Sequence, residues 1–173
     1  MPNYCYNSVT LTTEDTAKAD AFEAALEALS SDTDNDGAGL FGHFLPRPTE
    51  EEDNWYSWNI DNWGTKWEVY GVEWQRDENT FYLNFDTAWS PPIAFYEFIE
   101  SEEGGCWQVD AMYEEPGMSF VGRYADGFDD YQEYDFDNTD WRDSMSEDMI
   151  EFADLESRYE DYLEWREDED EEE

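Results

Sequence analysis

Apolar and polar positions change period several times along the chain. Residues 4–12 read Tyr-Cys-Tyr-Asn-Ser-Val-Thr-Leu-Thr, β-branched and aromatic, with Cys5, Val9 and Leu11 available to one face, so a strand is expected. Thr13, Glu14 and Asp15 then supply a hydroxyl cap and acids for the positive end of a helix. Phe22, Ala25, Leu26 and Leu29 recur at helical spacing and predict an amphipathic helix over 14–29. Residues 30–39 are turn-rich, and 41–53 read as an irregular connection containing Pro46 and Pro48.

Trp67 to Trp74 and Thr80 to Phe85 are aromatic and β-favouring, and Gln75 to Asn79 between them predicts a hairpin. Pro91 and Pro92 can open a helix, because proline tolerates the first turn, where its missing N–H costs nothing. Ile93, Phe95, Tyr96, Phe98 and Ile99 continue that helix toward Gly104 and Gly105. Cys106 to Tyr113 and Met118 to Tyr124 are two more strands, joined by a Glu-Glu-Pro-Gly turn. The expected order is β-α-β-β-α-β-β. Residues 128–140 alternate aromatics with acids and predict an acidic edge strand. A last helix over 144–166 places Met145, Met149, Phe152, Leu155, Tyr159 and Tyr162 on one stripe. The domain plan is therefore a core over 1–125, an acidic extension over 126–166 packed on or beside it, and a solvated tail over 167–173.

Charge changes this picture most. Forty-eight acids stand against eight bases, a formal net charge of −40. Disordered acidic chains have few aromatics, whereas this one is 18% Phe, Trp and Tyr, enough buried area to offset ordering entropy. Direct binding to nucleic acid or to an anionic membrane is excluded as an expectation, and a basic protein partner is favoured. The acids number 12 in residues 1–58, 13 in 59–116 and 23 in 117–173, a gradient that points to a directed acidic surface.

Candidate chemistry is sparse. Asp32-Thr-Asp-Asn-Asp-Gly37 begins like a calcium loop, but the twelfth position, a bidentate Glu in an EF-hand, is His43, and the eighth is Gly39. His43 is the only histidine and has no cysteine or second histidine at zinc-ligand spacing. No cofactor and no metal are expected. Cys5 and Cys106 are expected to be free, buried thiols in a reducing cytoplasm, with a single interstrand disulfide as the alternative.

Asn3-Tyr-Cys-Tyr-Asn7, Asn62-Trp-Gly-Thr-Lys-Trp67, Phe85-Asp-Thr-Ala-Trp-Ser-Pro-Pro92 and Tyr113-Glu-Glu-Pro-Gly-Met-Ser-Phe120 together resemble the YubB-type ferredoxin-like domain family found on plasmids and bacteriophages. The resemblance covers about residues 3–124. It implies an α+β fold with a ferredoxin-like β-α-β-β-α-β core, here with extra strands and a C-terminal acidic helix, and it brings no catalytic residues. The charge and the segment after residue 125 depart from it.

Three functions are weighed on these residues. In the first, a non-enzymatic protein of a phage or plasmid acts in the host cytoplasm as a DNA or RNA mimic, inhibiting a basic nucleic-acid-binding or defence factor. Its surface would comprise Asp129, Asp130, Glu133, Asp135, Asp137, Glu147, Glu151, Asp154, Glu156, Glu160, Asp161 and Glu164. Two helical rows are expected within it, Glu147-Glu151-Asp154-Asp161 and Glu156-Glu160-Glu164-Glu167, with carboxylates about 5–10 Å apart along the axis. In the second, a small-ligand protein or enzyme uses the Trp-rich stretch 62–92, where Trp63, Lys66, Trp67, Asp86 and Trp89 form a patch. The bland reading of that patch is core tryptophans and a structural Lys66–Asp86 pair. In the third, an interaction module carries its charge as adaptation to salt.

Overall fold

A computed structural model describes residues 3–31 and 39–172. The calcium-like turn at Asp32 to Gly37 lies outside the described residues. The fold is mixed α+β, built on a six-stranded antiparallel sheet: β1 (Tyr4–Thr12), β2 (Glu73–Asp77), β3 (Thr80–Ala88), β4 (Gln108–Glu115), β5 (Phe120–Ala125) and β6 (Phe128–Glu133). The strand order is β2-β3-β1-β4-β5-β6, so the first strand lies inside the sheet between two later ones. The helices are α1 (Thr16–Ser31), α2 (Leu40–Phe44), α3 (Trp55–Trp63), α4 (Ile93–Glu100), α5 (Glu147–Phe152) and α6 (Leu155–Glu172), with a 3-10 turn at Thr49–Asn54.

Strand side chains alternate faces, and here each face has its own cover. On the first face Val9, Leu11, Phe81, Leu83, Val109 and Ala111 bury against Phe22 and Leu26 of α1 and Phe95 and Ile99 of α4. Phe22 meets Phe81 and Trp107 edge-on at 4.8 and 5.3 Å, favourable geometry for aromatic quadrupoles. Within this layer the buried Asn7 amide donates to the Cys5 carbonyl and to Thr87 Oγ1, both at 2.9 Å, while Tyr96 Oη donates to Asn7 Oδ1 at 3.2 Å. On the second face Val121 packs with Trp141, Met149, Ala153 and Leu155, so residues 134–159 lie across β4 and β5.

Five expectations are corrected. The hairpin is shifted: β2 begins at Glu73, and its turn is Glu78-Asn79, with Glu78 at φ 52°. Residues 67–72 serve the helix layer instead, since Leu40 N–H donates to the Val69 carbonyl at 2.8 Å and Val69 is buried. The stretch 41–53, read as an irregular connection, holds α2 and most of the 3-10 turn, and α3 follows it and ends on left-handed Gly64. The single last helix is broken at Asp154 (φ 50°), because Met149, Ala153 and Leu155 must all reach the same sheet face. The edge strand stops at Glu133, after which buried Tyr134 enters the second core. Both cysteines are free, Cys5 buried as expected but Cys106 exposed.

Asp129 ties the edge strand to the core. Tyr113, fully buried on β4, donates its hydroxyl to Asp129 Oδ1 at 2.5 Å. Burial raises the Asp129 carboxyl above its ordinary value, opposed by the Tyr113 hydrogen bond. The Tyr113 ring passes over Gly122, where a Cβ would overlap its hydroxyl and ring carbons.

Two predictions follow from this contact. Gly122→Ala is expected to lower stability by about 1–3 kcal/mol through overpacking, read as a fall in the urea midpoint at unchanged slope. A carboxyl raised in the folded state binds its proton more tightly there. Its stabilisation is complete below the ordinary carboxylate value and is lost as pH rises through the raised one. The urea midpoint is therefore expected to rise as pH falls from neutral toward the ordinary carboxylate value, and less so in Asp129→Asn.

Candidate functional site

The predicted acidic surface divides on inspection. Asp129 is half-buried under Tyr113, and Asp130 accepts from Gln132 at 2.7 Å on the edge strand. Glu133 accepts from Tyr131, whose hydroxyl is pushed up to about 12 by burial, with the Glu133 hydrogen bond adding to it. Asp135 accepts from the Asp137 N–H at 3.0 Å, and Asp137 is held by the Tyr162 hydroxyl and Arg166. All five have local partners, and Glu133 is still exposed at the strand end.

The first helical row does not exist as read. Glu147 and Glu151 lie on α5, Asp154 at the break and Asp161 on α6, so no single axis carries them. The second row survives on α6. Glu156 pairs with Arg142, while Glu160, Glu164 and Glu167 are exposed and make no hydrogen bond or salt bridge among the described residues. Their helix is held down by rings: Tyr159 and Tyr162 pack on Phe136 at 5.5 and 5.8 Å, and Trp141 lies 5.6 Å from Tyr159. Arg158 adds a bidentate grip on Glu114 at 2.9 and 3.2 Å.

Cations are used frugally. Of the eight, Arg76, Arg123, Arg142, Arg158 and Arg166 form salt bridges, and Lys18 donates to the Gly105 carbonyl at 2.6 Å. Arg47 and Lys66 meet no carboxylate within salt-bridge distance among the described residues, and Arg47 lines a cleft of about 580 Å³. Trp55, Trp67 and Tyr70 line this cleft, with Arg47 presented by the buried Asn59 through Nη1···Oδ1 at 2.9 Å. Lys66 lies 4.7 Å from the Trp67 ring centroid, a cation–π distance. Below them Glu68 accepts from the N–H groups of Phe41, Gly42 and Val69, yet burial outweighs these bonds and raises its carboxyl.

The predicted Trp patch is only partly assembled here. Trp63 is core, its indole donating to the Leu45 carbonyl at 3.0 Å. Trp89 is exposed at a left-handed turn (φ 73°), and its neighbours Thr65 and Ser90 pin the loop, donating to the carbonyls of Ala88 and Gly64. The supposed Lys66–Asp86 pair is absent. Asp86 faces the second side of the sheet opposite Tyr6, while Lys66 is stacked on Trp67.

That second side holds what the sequence reading passed over. Residues 134–159 cover its β4–β5 half, leaving Tyr4, Tyr6 and Tyr82 exposed on β1 and β3. Tyr6 stacks on Phe152 of α5 at 5.8 Å and 22°, and donates to Asn84 Oδ1 at 3.0 Å. Beside it runs a groove of about 430 Å³ lined by Tyr6, Gly71, Glu73, Asn84 and Asp86. The signal was available: tyrosines at alternate positions of β1, opposite Cys5, Val9 and Leu11, mark a second aromatic face.

Among the described residues no helix is long and apolar enough to cross a membrane, and no group of three His, Cys, Asp or Glu side chains could hold a metal ion. No family model matches the chain, and no curated protein matches it. The structure is similar to the crystal structure of protein api92 from Yersinia pseudotuberculosis, of family model DUF1281, with a TM-score of 0.52 and 11% identity over 78% of this chain and 99% of that one. At that identity the likeness concerns the fold alone.

Proposed function

We propose that the chain is a non-enzymatic acidic protein of a mobile element, phage or plasmid, that binds a basic protein in the host cytoplasm. Its carboxylates stand where a nucleic-acid-binding or defence factor meets phosphates. We read the core β1-α1-β2-β3-α4-β4, with strand order β2-β3-β1-β4, as ferredoxin-like, with β5 and β6 extending the sheet.

The observation that carries the function is a docked acidic helix. Glu160, Glu164 and Glu167 step along one side of α6 at about 4.5–6 Å, and the ring cluster under Tyr159 and Tyr162 holds that side outward. Fixed spacing distinguishes such a row from a solvated tail, because the ordering entropy is met by intramolecular packing before any partner arrives.

A basic protein captured from host lysate at low salt provides the test. The chain is expected to displace labelled duplex DNA from it, less effectively as salt rises. Glu160→Gln/Glu164→Gln/Glu167→Gln should displace about tenfold less well, the sum of three exposed charge contacts. Capture that DNA does not compete, and that is unchanged in this variant, would overturn the reading.

A small-ligand role for the Trp-rich region is favoured by one observation, that Arg47 lines the aromatic cleft without a salt bridge among the described residues, beside Trp67, on which Lys66 stacks. Planar carboxylates are the matching class, through stacking and a guanidinium contact. Saturable quenching of tryptophan fluorescence by such a compound, lost in Arg47→Met, is the expected result; quenching that survives Arg47→Met rules it out.

A further inference from the structure

The second sheet face carries three carboxylates around one ring, where its open half meets the covered one. In the β1 registers Tyr6 stands opposite Asp86 on β3 and opposite Glu114 on β4, and Glu73 stands opposite Asn84, the acceptor of the Tyr6 hydroxyl. Burial and the charges of Glu73, Asp86 and Glu114 together raise the Tyr6 hydroxyl. One of the three is occupied: Arg158 reaches from α6 and grips Glu114 with two guanidinium nitrogens. The chain thus seats one of its own arginines on this face.

Glu73 and Asp86 are exposed and make no salt bridge among the described residues, in a groove whose lining includes Tyr6 and Asn84. Tyr82, 48% exposed, lies two positions along β3 from Asn84 on the same face. A planar cation suits every part of this arrangement. Guanidinium stacks on tyrosine, forks onto carboxylates and is less strongly hydrated than ammonium. Asn84 Oδ1 and the carboxylates offer acceptors only to a donor-rich group.

We infer that the groove formed by Tyr6, Glu73, Asn84 and Asp86 is a docking site for an arginine side chain of the partner, beside the internal arginine Arg158. This deepens the proposed function and rests on its premise that the partner is basic. It also relocates recognition: α6 supplies the field that draws the partner in, and the sheet face supplies the contact that orients it.

An acetylated tri-arginine peptide titrated into the full chain at about 150 mM salt tests the site by amide NMR. Shifts are expected to saturate and to centre on Tyr6, Glu73, Asn84 and Asp86. Glu73→Gln/Asp86→Asn, which changes exposed charges only, should weaken binding about tenfold or more, against about twofold or less for Glu160→Gln/Glu164→Gln. A tri-lysine peptide should bind more weakly than tri-arginine. The site is refuted by shifts spread over the acidic surface, by equal losses in the two variants, or by lysine binding as well as arginine. Failure here with DNA displacement intact removes the site alone. Saturation here with no basic protein displaced from DNA leaves the site and removes mimicry.

Discussion

Self-repulsion among 48 acids, opposed by eight bases, has to be offset by burial, and in this chain the burial is largely aromatic. One sheet serves two cores. Phe22, Phe81, Phe95 and Trp107 fill the first, while Trp141, Phe136 and Tyr159 close the second over Val121. Rings suit this task because each contributes a large area at the cost of few rotatable bonds. Arginines then act where carboxylates crowd: Arg76 spans β2 to α1 through Asp20 and Glu23, and Arg123 joins Asp110 and Asp148. Most charge remains outside, and the carboxylates drawn inward are met by donors: Glu115 by Gly117 N–H, Glu68 by three backbone N–H groups and Asp129 by the Tyr113 hydroxyl.

The stretch from Asn62 to Pro92 illustrates how a concentration of unusual residues can serve architecture. Gly64 ends α3 in a left-handed conformation, Thr65 and Ser90 lace the two flanking loops, and Thr87 meets the buried Asn7 amide. Trp63 is spent on packing. What is displayed toward solvent comes from its margins, Trp67 with Lys66 on one side and Asp86 on the other, which face different surfaces.

Strand and helix order was largely legible, since β1, α1, β3, α4, β4 and β5 each carry an uninterrupted period. The failures have local causes. Glu68 looked like one residue of a strand, but its carboxylate accepts three backbone N–H groups and diverts residues 67–72 to α2, a tertiary demand invisible to alternation. The stripe Met149-Phe152-Leu155-Tyr159 suggested one continuous helix, whereas Asp154 at positive φ lets Phe152 reach Tyr6 and Leu155 reach Val121. Acidic positions were legible as a set and illegible as individuals: whether Asp129 is a display group or a half-buried acceptor depends on Tyr113, sixteen residues away.

The interior position of β1 bears on how the chain acquires its structure. Tyr4 to Thr12 pair with residues 80–88 on one side and, from Tyr6, with 108–114 on the other, so the first strand made waits for two strands made much later. Such distant pairings carry a loop-closure penalty and slow folding. During synthesis an uncharged strand carrying Tyr4 and Tyr6, and the acid-bearing helix after it with Asp20, Glu23 and Glu27, stay without a sheet until β3 emerges, and the second face stays bare until residues 134–159 follow. Like charge along the nascent chain discourages neighbouring copies from pairing in that interval, which gives the acidity a use before any partner is met.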